Sequence, residues 1–245
     1  MLKQLSNKKQ IKKLKKTIQK SLNNEVPIPE LEVQEKLNKE IVTFILDGAV
    51  LQLGQLKSSK VLLNFEDHSN FITKRLGRNP EDFSKRPDIV HQSLLTLLDS
   101  PLNKAGLMKV LIRTEDNRLI EINQVTKIPR TFKRFSGMIA KLLETAKIQS
   151  EDQILLQIHN DTVQEYFSNE AFIIATSHKA KLVNLQEYIQ KKHNMVFVIG
   201  AVAKGNPGLE CKFSNDCISI SRYQLSTSNC LSKIIDTFEQ YYQII

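Results

Sequence analysis

At 245 residues with 41% hydrophobic side chains, the chain is long and apolar enough for one large domain with a buried core, which excludes disorder throughout. Its formal charge of +9 suggests a polyanionic partner, yet residues 1–22 hold eight lysines and no acid. The remainder is therefore nearly neutral, and any nucleic-acid site on the body must be a local patch. The three cysteines, Cys211, Cys217 and Cys230, lack metal-ligand spacing and fit reduced thiols, so no metal is expected. The longest apolar run, residues 195–203, is far short of a membrane span, and the N-terminus lacks a secretory apolar core, so the expectation is a soluble intracellular protein with no membrane partner.

In chain order, residues 1–35 read as a basic arm and linker, closed by Pro27 and Pro29. A nuclear address or a loose grip on RNA phosphates fits the same lysines. A body over 36–245 follows. Residues 40–46 are β-branched and nearly continuous, as in a strand buried on both faces, with Asp47-Gly48 as its stop. A second strand is expected at 60–64, and the charged stretch 66–85, with Gly77 and Pro80, reads as an irregular exposed arm.

Residues 86–106 then form an amphipathic helix. Pro87 starts it, Ile89, Val90, Leu94, Leu97 and Leu98 recur at helical spacing, and Pro101 and Gly106 close the segment. Arg86 and Asp88 stand at its mouth, where free N–H groups favour anions and where Asp is also an ordinary cap. A hairpin is expected from 109–113 and 118–122.

From Ile122 to Leu143 there is no acid, while Lys127, Arg130, Lys133, Arg134 and Lys141 supply five cations. Pro129 and Thr131 start a helix whose inward face is Phe132, Phe135, Ile139, Leu142, Leu143 and Ala146. Arg130 and Arg134 share a side near its start, with Lys127 just upstream, so three cations can converge on phosphate or base edges; a solvated helix face fits the same residues.

Strands at 154–158, 171–175, 195–199 and 217–221 alternate with helices at 182–189 and 231–242, which implies a mostly parallel sheet flanked by helices. Ligands then bind beyond the strands' carboxyl ends, where three segments stand out: Thr176-Ser177-His178, the loop from Gly200 to Gly205, and Ser221 to Ser226. The Gly200 to Gly205 loop fits neither the dinucleotide fingerprint nor the phosphate-binding loop. His91 on the opening helix reads as a surface or supporting residue, and Cys230 as a packed one.

Together these segments resemble one family, the nucleolar essential protein or essential-for-mitotic-growth methyltransferases of the SPOUT class. The likeness runs from Ile41 to the C-terminus and is carried by Arg86-Pro87-Asp88-Ile89-Val90-His91-Gln92 with its continuation to Gly106, by Lys127-Ile128-Pro129-Arg130-Thr131-Phe132-Lys133-Arg134-Phe135, and by Val196 to Ala201 and Ser219 to Ser221. The resemblance implies an α/β SPOUT fold with a C-terminal deep trefoil knot, a homodimer, and S-adenosylmethionine held in the knot loops. It also implies methylation of ring nitrogen 1 of a pseudouridine in small-subunit ribosomal RNA, in the nucleolus of the nucleus.

Carried over by position, Arg86, Lys127, Arg130 and Arg134 contact RNA. Asp88 orients Arg86 or accepts a proton; the orienting role is favoured, because a carboxylate paired with arginine makes a poor base. Thr176, Gly200, Gly205, Ile220, Ser221, Arg222, Tyr223, Gln224 and Leu225 line the cofactor site. The chain departs from the family's usual residues at Lys127, at Lys204 and over Arg222-Tyr223-Gln224, where Asn-Tyr-Pro is usual. These departures admit an alternative, an RNA-binding ribosome-assembly factor with lost or dispensable methyltransferase activity.

Overall fold

The computed structural model describes residues 40–56, 59–77, 85–151, 153–167 and 171–244; the basic arm, 1–35, lies outside the described residues. The core is an eight-stranded sheet in the order β10-β8-β9-β1-β4-β5-β7-β6. Its strands are β1 (Val42–Ala49), β4 (Met108–Thr114), β5 (Leu119–Ile122), β6 (Lys147–Ser150), β7 (Gln153–His159), β8 (Phe172–Leu182), β9 (Met195–Gly200) and β10 (Asp216–Ser219). The ladders from β10 through β8, β9 and β1 to β4 are parallel, and those from β4 through β5 and β7 to β6 are antiparallel.

Alternation assigns each strand's side chains to two faces. Phe44 and Leu46 of β1, Val110 and Ile112 of β4, and Phe197 and Ile199 of β9 pack under the helices on one face. Ile45, Leu111, Val196 and Val198 form a smaller cluster on the other. The main core is closed by helices α2 (Pro87–Leu98), α4 (Phe132–Thr145) and α8 (Thr227–Tyr242). Phe197 stacks on Phe44 at 6.1 Å and meets Phe238 of α8 edge-on at 5.8 Å, so α8 is fixed to the middle of the sheet. Each such buried ring contributes about 1.5–3 kcal/mol.

Several expectations are corrected. Gly48 does not stop β1; it has φ +71° inside a bulge, and a Cβ there would come within 2.9 Å of Val202. The expected strand at 60–64 is β3 (Ser59–Leu62), paired with an unforeseen β2 (Leu53–Leu56). Part of the supposed irregular arm is helix α1 (Phe65–Leu76), capped by Asn64, with Ile72 fully buried. Ala146 leaves the inward face of α4 for a left-handed C-cap. The short helices are α3 (Pro101–Lys104), α5 (Val163–Tyr166), α6 (Leu185–Ile189) and α7 (Pro207–Glu210). Residues 182–184 belong to strand and loop, not to α6.

Candidate active site

The carboxyl ends of β9 and β10 and the middle of β8 converge with the starts of α2 and α8 on a cavity of about 360 Å³. Three local devices shape its sheet side. First, β10 follows β8 up to Ala175 and rejoins it only at Lys181, so residues 176–180 leave the ladder. The expected loop at Thr176-Ser177-His178 is this excursion inside β8, and all three residues line the cavity. Thr176 donates its hydroxyl to the Val198 carbonyl at 3.2 Å, fastening the excursion to β9.

Second, the segment after β9 folds back through close backbone packing. A Cβ on Gly200 would come within 2.6 Å of Pro207, and one on Gly208 within 2.0 Å of the Thr176 carbonyl oxygen. Gly205 has φ +103°, a conformation that favours glycine. Third, the Ser219 hydroxyl donates to the Ser221 carbonyl at 2.8 Å, and the Ser221 hydroxyl accepts from the Tyr223 N–H at 3.0 Å, which sets the turn into α8. Thr227 of α8 donates to the Gly200 carbonyl at 2.7 Å and closes the wall.

The opposite wall belongs to α2. Arg86 Nε and Nη2 donate to the two Asp88 oxygens at 2.8 and 2.7 Å, a bidentate pair in which Asp88 holds the Arg86 guanidinium above its already high pKa. The capping alternative for Asp88 gives way to this pairing. Behind it, His91 is buried: its ring stacks on Phe135 at 4.5 Å, and Nε2 donates to the Pro129 carbonyl at 2.7 Å. The histidine therefore ties the start of α2 to the Lys127 to Arg134 segment, a supporting role and not a surface one.

The structure thus gathers Arg86, Asp88, Thr176, Gly200, Gly205, Ile220, Ser221, Tyr223, Gln224 and Leu225 around one cavity. Arg222 and Lys204 are exposed and are not in its lining. Lys127, Arg130 and Arg134 are also exposed outside it, around the start of α4. Arg130 precedes the helix instead of sharing a helical side with Arg134, and it donates to Asp99 at 3.0 Å. Lys104 also binds Asp99, and these two cations hold that carboxyl below its usual range.

Sequence reasoning missed Gln92, Asn206, Gly208 and the continuation of the Ser221 to Ser226 segment into the hydroxyls of Thr227 and Ser228. That continuation was visible as a helix-start signature; Gly208 matters only through a backbone approach that no local pattern encodes. Burial pushes the Cys230 thiol up to about 11, which suits packing and not attack.

Chemically, the cavity offers Ile199, Val202, Ile220 and Leu225 to a flat apolar ring, and serine and threonine hydroxyls to a polar chain. Asn206 has a buried Nδ2 with no partner among the described residues, the donor expected where a polar ligand completes the wall.

A family model described as EMG1/NEP1 methyltransferase matches residues 44–239. The chain is 36% identical over 220 residues to the ribosomal RNA small subunit methyltransferase NEP1 of Homo sapiens, covering 89% of this chain and 88% of that protein. It is 41% identical over 187 residues to the NEP1 of Candida glabrata, covering 75% and 80%. Among solved structures, Archaeoglobus fulgidus Nep1 bound to S-adenosylhomocysteine shares the fold, with a TM-score of 0.69 at 23% identity over 82% of this chain and 98% of that one.

Proposed function

The chain belongs to the EMG1/NEP1 methyltransferase family, and from that premise we propose that it methylates ring nitrogen 1 of a pseudouridine in small-subunit ribosomal RNA, using S-adenosylmethionine. The observation that carries this reading is the convergence of three C-terminal loops and the Arg86–Asp88 pair on one cavity. The apolar slot and hydroxyl-rich rim suit an adenosine joined to an amino acid, and the archaeal relative was solved with the demethylated cofactor. When bound, S-adenosylmethionine supplies an electrophilic sulfonium methyl group.

The chain's own residues then hold, orient and exclude. Ile220 to Leu225 and the Gly200 to Gly205 loop hold the cofactor largely through backbone groups, which tolerates Gln224 in the wall. Arg86, fixed by two hydrogen bonds to Asp88, presents a rigid fork to the flipped nucleotide at the cavity mouth. Both Asp88 oxygens are already engaged by Arg86, which favours the orienting role over proton acceptance. Lys127, Arg130 and Arg134 grip flanking phosphates. In uridine, nitrogen 1 carries the glycosidic bond; the carbon-linked isomer leaves it as an N–H that can be exchanged for a methyl group. The pocket's task is positioning along the attack line.

The same reading makes the C-terminal passage a deep trefoil knot and the working unit a homodimer acting in the nucleolus. The knot is supported by β10 lying beyond β8, one strand removed from the β9 that precedes it.

The test supplies the purified protein with labelled S-adenosylmethionine and matched RNA hairpins containing pseudouridine or uridine. Transfer to the pseudouridine hairpin alone is expected, and equal transfer to both or to neither rejects the chemistry. Tight RNA binding without detectable cofactor binding in calorimetry would favour the assembly factor.

A further inference from the structure

Helix α4 carries a glycine that the packing of the fold does not require. Gly137 lies inside the helix, is exposed, and a Cβ added to it would meet nothing within 4 Å. Its φ is not in the left-handed region, so no backbone strain calls for glycine. Glycine in a helix interior is disfavoured against alanine by roughly a factor of five in the folding equilibrium.

The neighbours of position 137 on the helical surface are three and four residues away. Three of these four are cations, Lys133, Arg134 and Lys141, and the fourth is the small Ala140. All three cations are exposed, and no acid pairs with them among the described residues. The acid further along that face, Glu144, is paired with Lys60 at 3.8 Å. The first turn of the helix carries no acid either. Position 137 is therefore a side-chain-free notch with a positive rim.

We propose that this notch receives the sugar–phosphate backbone of the RNA, which approaches α4 more closely than any side chain at 137 would permit, while Lys133, Arg134 and Lys141 hold its phosphates. The proposal rests on the RNA-methyltransferase reading and extends the RNA surface about two helical turns beyond Arg134. A second copy of the chain could also use a small residue for close helix packing. Two copies meeting here would oppose three cations with three cations, so a polyanion is the better match.

The experiment uses the full chain carrying Gly137→Ala, with Lys141→Ala as a second variant. Thermal unfolding, calorimetry with S-adenosylhomocysteine, and binding of a pseudouridine hairpin at two salt concentrations are measured. For Gly137→Ala the melting temperature should rise by about 2–4 °C, cofactor affinity should stay unchanged, and RNA binding should weaken about fivefold or more. Lys141→Ala should weaken RNA binding and lower its salt slope by about one.

RNA affinity of Gly137→Ala equal to or tighter than that of the unaltered protein overturns the proposal. So does a change in sedimentation with unchanged RNA affinity, which would give the notch to a second copy. Unaltered protein that binds S-adenosylhomocysteine but no RNA would instead defeat the RNA reading itself.

Discussion

The two walls of the cavity are built from different materials. On the sheet side, shape comes from main chain: Gly208 against the Thr176 carbonyl, Gly200 under Pro207, and the Thr227 bond to Gly200. On the α2 side it comes from side chains: the Arg86–Asp88 fork, with His91 behind it on the Pro129 carbonyl. A main-chain wall tolerates exchange of its outward side chains but not the addition of a Cβ at its contacts. A side-chain wall keeps its fold when a charge is removed, yet loses its function.

The largest expected effect falls on the first wall. Gly208→Ala places a methyl group 2.0 Å from a backbone oxygen that cannot swing aside. It should destabilise the protein by about 3 kcal/mol and abolish binding of S-adenosylhomocysteine, read by thermal unfolding and calorimetry. Binding within twofold of the parent would show that the main chain does not define this wall.

An intermediate effect is expected from the second. Asp88→Asn breaks a half-exposed ion pair, so the change in stability should stay below about 1 kcal/mol. RNA binding should nevertheless fall about tenfold with cofactor affinity unchanged, and unimpaired RNA binding would remove Asp88 from the fork.

The smallest effect compares two arginines of the outer patch. Arg134→Ala should lower the salt slope of RNA binding by about one and spare cofactor affinity. Arg130→Ala should do the same more weakly, because Arg130, 74% exposed, already shares its charge with Asp99. Equal salt slopes for both variants and the parent would return the two residues to a solvated surface.

Much of this was legible in the chain because it rests on local patterns. Continuous β-branched runs marked β1 and β9, Pro87 and the apolar spacing marked α2, and the acid-free stretch from Ile122 to Leu143 marked the outer patch. What escaped were features set by contacts distant in sequence. The α1 helix was hidden by its charged surface, since Ile72 is the one fully buried side chain among its described residues. Gly48 looked like a terminator because its positive φ serves a bulge, and a bulge is defined by a partner strand. Asp88 shows the limit most clearly. Its position fitted a cap or a partner for Arg86 equally well, and side-chain geometry decided between them.

The central ladder has a consequence for the order of events during synthesis. β1 pairs with β9, residues roughly 150 apart in the chain, and the cavity needs walls from both Arg86 and Cys230. Contacts so remote incur loop-closure entropy before they return any stabilisation, so they form late and slowly. A nascent chain still lacking α8 has no closed cavity, because Thr227 is the residue that fastens the wall to Gly200. The cavity is therefore completed only once α8 has docked on the sheet, after the residues of both its walls have been made.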